Sequence, residues 1–195
     1  GIAMPVILAL SVYVVAVIIY KIYQFSSTGA FAISFIDSVL GAIEGKKVSE
    51  AINIANKHPG PVARVVVATI NAIGNRGISD EQRVRVIESI AIREIRIYEN
   101  HMRGLEMVAD ISPLLGLLGT VTGMVKVFAG ISQTGSGVDP ALLAGGIWEA
   151  LIATVAGLAV AIPALAAHYI LESRIDAIRA VLKDTVMSIM AKSGN

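Results

Sequence analysis

Long apolar stretches alternate along the chain with segments rich in polar residues, and this pattern predicts its helices. The apolar stretches cover residues 3–20, 111–131 and 141–171, and the first of them contains no charged residue. A helix needs about 20 predominantly apolar residues to cross the hydrocarbon core of a bilayer. The pattern therefore predicts three membrane-spanning helices.

Residues 3–20 are expected to remain as a span rather than to be removed as a signal peptide. No small-residue cleavage motif follows Tyr20. Tyr20, Lys21 and Tyr23 instead predict an anchor at the membrane interface, where aromatic and basic side chains are enriched.

The polar segment between the first two spans is also predicted to be helical. Short helices are expected at residues 26–43, 48–57 and 62–73. In the first of them, Phe31, Phe35 and Val39 recur at helical spacing, which is typical of a helix with one buried face.

A longer helix is predicted to begin after Ser79. Gln82 follows three residues later, as in a capping box, and acidic residues occupy the first turn. No helix-breaking residue occurs before Pro113, so we expect this helix to continue without interruption into the second span.

The charges predict the orientation of the chain. Of the 16 Lys and Arg residues, 11 lie between Lys21 and Arg103, one is Lys126, and four follow Leu171. The positive-inside rule places the long polar segment and the C-terminal tail in the cytoplasm, and the N-terminus on the opposite side of the membrane. Charged residues make up only 16% of the chain, against about a quarter in a typical soluble domain.

These observations predict an all-α membrane protein in which long helices extend from three transmembrane helices into a helical cytoplasmic domain. The expected division is a first transmembrane helix over residues 1–22, a cytoplasmic helical region over residues 23–104, and the second and third transmembrane helices with a cytoplasmic tail over residues 105–195.

The sequence argues against several classes of chemistry. It contains no cysteine, and its three histidines show no metal-ligand spacing. No nucleophile–base pair and no phosphate-binding loop is visible, so we expect neither an enzyme nor a bound cofactor or metal. Nucleic acid is not an expected partner, because the arginines of the polar segment alternate with Glu88, Glu94 and Glu99 as on a solvated helix face.

The second span carries small residues along one face. Gly116, Thr120 and Gly123 recur at helical spacing, and Gly119 forms a GxxxG pair with Gly123. Small residues allow membrane helices to approach closely, so tight packing is the expected role of the glycines. For Thr120 the sequence leaves two roles open, namely packing and the orientation of water or of a partner's side chain.

The third span contains an ionisable residue, Glu149. A carboxylate within a membrane span costs at least ~2.5 kcal/mol, so it has to be protonated, paired or in contact with water. Ala153 shares its face of the helix, and Pro163 is expected to kink the helix below it. Two interpretations remain open, a structural ion pair with Lys126 of the second span or a role in a cation pathway, and both hold if the pair forms part of a gate.

Two sequence runs resemble the signatures of a known family. SPLLGLLGTVTGM, from Ser112 to Met124, is similar to the second-helix signature of the MotA/TolQ/ExbB proton channel family. GIWEALIAT, from Gly146 to Thr154, and the following AIPA are similar to its third-helix signature. Three predicted spans resemble the ExbB and TolQ branches more than the four-span MotA branch, and the cytoplasmic segment resembles the family in architecture only.

The resemblance implies a homopentamer in the bacterial inner membrane whose second and third helices line a pore. Thr120, Glu149 and Thr154 would form the ion pathway and contact a partner helix. Residues expected to line the pore or to pack closely are Gly116, Gly119, Gly123, Ala153, Gly157 and Pro163. Thr154 lies five residues beyond Glu149, about 140° around a straight helix, so the two are not expected to face one point within a chain.

The implied partners are a single-span membrane protein of the ExbD/TolR type and a protein of the TonB/TolA type, in contact with membrane lipid. The implied function is to couple the proton motive force to work at the outer membrane. Two alternatives stay open: a structural scaffold with a buried Lys126–Glu149 pair, and a sodium-driven subunit of the stator type.

Overall fold

The protein is helical throughout the part that the structure describes. The structure is a computed structural model and describes residues 3–29, 33–75, 77–134 and 140–193. It is 90% helical, with no strand among these residues. The helices are α1 (Ala3–Ser27), α2 (Ile36–Glu44), α3 (Val48–Asn56), α4 (Pro61–Gly74), α5 (Asp80–Glu99), α6 (Met102–Thr134) and α7 (Pro140–Ser193).

Three segments of the chain are long and apolar enough to cross a membrane. They lie within Ala3–Ser27, Asp80–Ser132 and Leu143–Ser193. These segments overlap the three apolar stretches of the sequence, and further helices extend from them. The predicted fold class, an all-α membrane protein with three spans and a helical extension, is therefore confirmed.

The helix predicted over residues 26–43 is wrong in its first part. α1 continues to Ser27, and α2 begins only at Ile36. Between them the chain turns at Gly29, whose φ of 57° lies in the left-handed region that favours glycine. Phe31 lies outside the described residues, whereas Phe35 and Val39 are buried as their spacing predicts.

The helix expected to run from Ser79 into the second span is interrupted. Its start is as predicted, because the Ser79 hydroxyl accepts from the Gln82 amide and the Gln82 side chain accepts from the Ser79 amide. α5 nevertheless ends at Glu99 and α6 begins at Met102. Asn100 leaves the helical conformation with ψ 136°, and His101 has φ 67°. His adopts the left-handed region more readily than most residues, which makes His101 suitable for such a break.

The chain divides into two compact units. The first consists of Gly1–Tyr20 and His101–Ile170, and the second of Lys21–Asn100 and Leu171–Asn195. The first unit thus contains most of α1, α6 and the first part of α7, which are the apolar helices. The second contains α2 to α5 with the end of α1 and the last part of α7.

Lys21 has a different environment in the second unit from the interfacial one predicted. Its side chain is fully buried, and its ammonium donates to the Gln24 side-chain oxygen at 3.0 Å and to the Tyr98 carbonyl. The Gln24 amide donates to the Ile97 carbonyl at 3.1 Å. The last carbonyls of a helix lack hydrogen-bond donors within the helix. At the end of α5, Lys21 and Gln24 provide these donors.

A partly buried ion pair joins α4 to α5 in the same unit. The Arg64 guanidinium donates through two nitrogens to Glu94, at 2.8 Å and 2.6 Å, and Glu94 is buried. The hydrogen bond to Glu94 raises the pKa of Arg64 above its usual value. A charge buried on one helix is thereby compensated by the neighbouring helix.

The segment expected to be a cytoplasmic tail is a continuation of α7. Its buried residues alternate at intervals of four and three, namely Leu171, Ile175, Ile178, Leu182, Thr185 and Ile189. This spacing places them on one stripe of the helix. Lys192 and Arg179 form ion pairs with Glu44 and Glu99, so the last part of α7 is integrated into the second unit.

Candidate functional site

The glycines of α6 lie against α7 in the first unit. A side-chain carbon on Gly116 would come within 2.9 Å of the Ala153 carbonyl oxygen and of the Thr154 Cα. One on Gly119 would lie 2.5 Å from the Ala153 Cβ, and one on Gly123 would lie 2.9 Å from the Ala150 Cβ. Only glycine at these positions permits α6 and α7 to lie this close, because the opposing atoms are backbone atoms or the Cβ of an alanine.

Gly157 extends this contact from the side of α7. A Cβ there would overlap the Ser112 carbonyl oxygen and would lie 3.1 Å from the Gly116 Cα. Ser112 is fully buried, and its hydroxyl has no hydrogen-bond partner among the described residues. Pro113 follows it and has no N–H to donate, so the helical hydrogen-bond ladder lacks one member here.

Thr154 faces α6 within the same contact. Its hydroxyl donates to the Gly116 carbonyl at 3.2 Å, and the side chain is half-buried. Ala153, next to it, is buried. Thr154 therefore links the two helices in this chain, and its oxygen retains capacity to accept a hydrogen bond.

Thr120 faces a different surface. Its hydroxyl donates to the Leu117 carbonyl of its own helix at 2.7 Å. The side chain lines a shallow apolar groove together with Val121, Met124, Val125 and Phe128. Val121, Val125 and Phe128 are more than half exposed, so this groove is an open apolar surface of α6.

Glu149 and Lys126 line one cavity. The cavity has a volume of about 190 Å³ and lies among α1, α6 and α7, with Ala3 and Met4 contributed by α1. Both charged side chains are exposed in this chain. The cavity thus holds opposite charges near each other in an otherwise apolar setting.

The residues predicted to form one pathway occupy three places in a single chain. Glu149 lines the cavity, Thr154 lies between α6 and α7, and Thr120 lines the apolar groove. The expected angular separation of Glu149 and Thr154 agrees with this arrangement. Pro163 is exposed within α7, which is assigned as one continuous helix.

Thr122 and Gly146 are among the residues of this site that were not identified from the sequence. Thr122 lines the cavity with Glu149, and Gly146 lies both in the cavity lining and against the Val127 side chain. Thr122 precedes Lys126 by four residues, one helical turn, which would have placed it on the same face. Gly146 lies three residues before Glu149 and shares its face for the same reason.

The residues described contain no cluster of three or more His, Cys, Asp or Glu side chains that could hold a metal ion. The chemistry available at these positions consists of two charged groups, hydroxyls and backbone carbonyls. Such groups can bind water and exchange protons, and they provide no nucleophile–base arrangement.

Curated proteins similar to this chain include biopolymer transport proteins and a Tol-Pal system protein. The biopolymer transport protein exbB1 of Vibrio cholerae is 39% identical over 89 residues, which are 46% of this chain and 39% of that protein. ExbB of Salmonella typhimurium, also a biopolymer transport protein, is 36% identical over 117 residues, 60% of this chain and 47% of that protein. The Tol-Pal system protein TolQ of Haemophilus influenzae is 44% identical over 86 residues, 44% of this chain and 37% of that protein. The chain matches less than half the length of each of these relatives.

The family match reaches further along the chain than the two signature runs. It covers residues 57–184, and so includes α4 and α5, which the sequence had related to the family in architecture only. It also includes the glycine contact, the apolar groove and the cavity residues that α6 and α7 contribute. This match shows that the chain belongs to the MotA/TolQ/ExbB proton channel family, with ExbB and TolQ proteins among its relatives.

Proposed function

We propose that this chain is the channel and scaffold subunit of a bacterial inner-membrane motor driven by the proton motive force. The observation that carries the proposal is Glu149, an ionisable side chain on an apolar helix beside a cavity. Ionisable groups within membrane spans are costly and commonly mark ion pathways. Membership of a proton channel family supports the same function.

The proposed assembly is a homopentamer in which α6 and α7 face a central pore. A single-span partner of the ExbD/TolR type occupies that pore and brings a carboxylate that takes up and releases protons. The open apolar groove beside Thr120 supports this part of the proposal, since it offers a partner helix a surface with one hydroxyl. Thr154 and Glu149 complete the ion pathway. Protons reach Thr154 at the contact between α6 and α7.

The orientation follows the distribution of positive charges, with the N-terminus in the periplasm and the C-terminus in the cytoplasm. Proton flow through the assembly turns the ring relative to the partner, and a TonB/TolA-type protein transmits the work to the outer membrane. One elementary charge that crosses ~100 mV releases ~2.3 kcal/mol, so several protons supply enough free energy for a large conformational cycle.

The test is proton flux into liposomes that contain this chain, an ExbD/TolR-type partner, or both. We expect flux under a potential of ~100 mV only when both proteins are present. Flux that requires Na⁺ instead would assign the chain to the sodium-driven alternative. An assembled complex that carries neither ion would favour the structural scaffold, for which the close α6–α7 contact is equally suitable.

A further inference from the structure

The cavity among α1, α6 and α7 carries one positive and one negative side chain. Of its described lining residues, Lys126 and Glu149 are charged and Thr122 carries a hydroxyl. The remaining lining residues are apolar or glycine. When both charged groups are ionised, the formal charge of the lining is zero.

The cavity lies beside the polar segment that joins the second and third apolar stretches. Lys126 lies six residues before Ser132, and Glu149 lies nine residues after Pro140. At 1.5 Å per residue these are rises of roughly 9 Å and 14 Å, within half of a hydrocarbon core about 30 Å thick. In the proposed pathway, ions that enter from this side therefore meet the cavity.

A carboxylate alone would attract any small cation to this place. A proton forms a covalent O–H bond with a carboxylate, whereas Na⁺ is held by electrostatic attraction and by several oxygen ligands. The cavity supplies few such ligands, because the Thr122 hydroxyl and the Glu149 carboxylate are the oxygen-bearing side chains among its described lining residues. The net charge of the lining thus decides whether alkali cations collect there.

We infer that Lys126 makes the ion pathway selective for protons over Na⁺, because it cancels the charge of Glu149 and so prevents alkali cations from accumulating in the cavity. Lys126 is then a specificity-determining residue rather than a proton carrier. This inference rests on the proposed function, and it explains a fixed positive charge beside a cation pathway. Replacement of Lys126 by a neutral residue removes this positive charge, so that Na⁺ can collect beside the Glu149 carboxylate.

Trp148 allows Na⁺ binding to be measured without any flux. It is the single tryptophan of the chain and the neighbour of Glu149 in sequence. The purified chain is titrated with NaCl against choline chloride at constant ionic strength while its fluorescence is followed. We expect a saturable response to Na⁺ in Lys126→Gln, and none in the wild type, in Lys126→Arg, or in Lys183→Gln, which removes an exposed lysine of the second unit.

The second measurement is uptake of radioactive sodium by liposomes that contain the chain and its partner. Lys126→Gln is expected to raise sodium uptake at least about tenfold over the wild type, whereas Lys126→Arg keeps sodium excluded. A tenfold change corresponds to ~1.4 kcal/mol, a modest effect for one nearby charge.

The outcomes separate this inference from the proposed function. If the wild-type complex conducts protons and Lys126→Gln neither binds nor admits Na⁺, the inference is overturned and the channel stands. If the wild-type complex conducts nothing, the proposed function fails, and the fluorescence titration still decides whether Lys126 keeps Na⁺ out of the cavity. A Na⁺ response in the wild type equal to that of Lys126→Gln would also overturn the inference.

Discussion

At the scale of single residues, a charged side chain at the end of an apolar stretch can serve the interior of the protein rather than the membrane interface. Lys21 lies between tyrosines, a pattern that predicts an interfacial anchor. Its acceptor, the Tyr98 carbonyl, lies 77 positions away in sequence. Tyr20 and Tyr23 are exposed as predicted, but the burial of Lys21 depends on where α5 ends, which no local pattern reveals.

Because Lys21 donates a hydrogen bond to the end of α5, we expect its replacement to lower the stability of the protein. Lys21→Met keeps most of the side-chain volume but leaves the Tyr98 carbonyl buried without this donor, at a cost of roughly 1–3 kcal/mol in the free energy of unfolding. We expect a lower midpoint of thermal unfolding in detergent and faster amide exchange in the last turn of α5. Lys57→Met, at an exposed lysine, is the matched control and should change neither. Equal effects of the two substitutions would show that Lys21 does not stabilise the end of α5.

The charged residues of the candidate site are visible in the sequence because a charge in an apolar helix is conspicuous. Glu149 and Lys126 stand out in this way, and the structure places both at one cavity. Thr122 is less conspicuous, since a threonine is common in membrane helices and its hydroxyl bonds to its own backbone. Its position in the cavity follows only from the spacing to Lys126.

At the scale of helices, the small residues of α6 predict one face of a close contact but not the opposite face. Gly116, Gly119 and Gly123 follow from their spacing, whereas Ala150 and Ala153 as their neighbours depend on the register of α7 against α6. The break between α5 and α6 was not predicted either. Asn100 and His101 are tolerated in helices, and the ordered end of α5 relies on donors from α1.

Because α6 and α7 lie so close together, we expect a single added methyl group to weaken their contact. In Gly157→Ala the added carbon meets the Ser112 carbonyl, a backbone atom that cannot turn aside. Overpacking of this kind costs typically 1–3 kcal/mol, against a gain of at most about 1 kcal/mol in helix propensity. We expect a lower unfolding midpoint and partial loss of the proposed oligomer on size-exclusion chromatography.

Gly130→Ala is the matched control for that substitution. It lies in α6, and a Cβ at Gly130 meets nothing within 4 Å in this chain. The same change of residue should leave stability unchanged or slightly increased. If Gly157→Ala is as stable as Gly130→Ala, the two helices are not held at the separation described.

At the scale of the whole molecule, the apolar stretches were enough to predict three spans and a helical extension. They were not enough to predict that the last part of α7 belongs to the same compact unit as α2 to α5. The heptad-like spacing from Leu171 to Ile189 carries that signal in the sequence, but a stripe of this kind does not identify the helices it packs against. The expected division of the chain at residues 22 and 104 by membrane side stays a prediction.

The account of the molecule as a proton channel depends on two polar residues that lie at different places in one chain. Thr120 lines the open groove of α6, and Glu149 lines the cavity. If both contribute to one pathway, that pathway is completed by neighbouring copies or by the partner helix. Substitution of either residue is then expected to stop conduction while the complex remains assembled.

The most direct measurement is proton flux in liposomes under ~100 mV for the assembled complex carrying Thr120→Val or Glu149→Gln. The matched controls are Thr185→Val, whose hydroxyl also bonds only to its own helix, and Glu106→Gln, at an exposed acid of α6. We expect Thr120→Val and Glu149→Gln to lower proton flux at least about tenfold while the complex stays intact. A tenfold loss corresponds to ~1.4 kcal/mol. Both control variants should conduct as the wild type does. Wild-type flux in Thr120→Val and Glu149→Gln would contradict this account, because the pathway would then lie elsewhere in the protein.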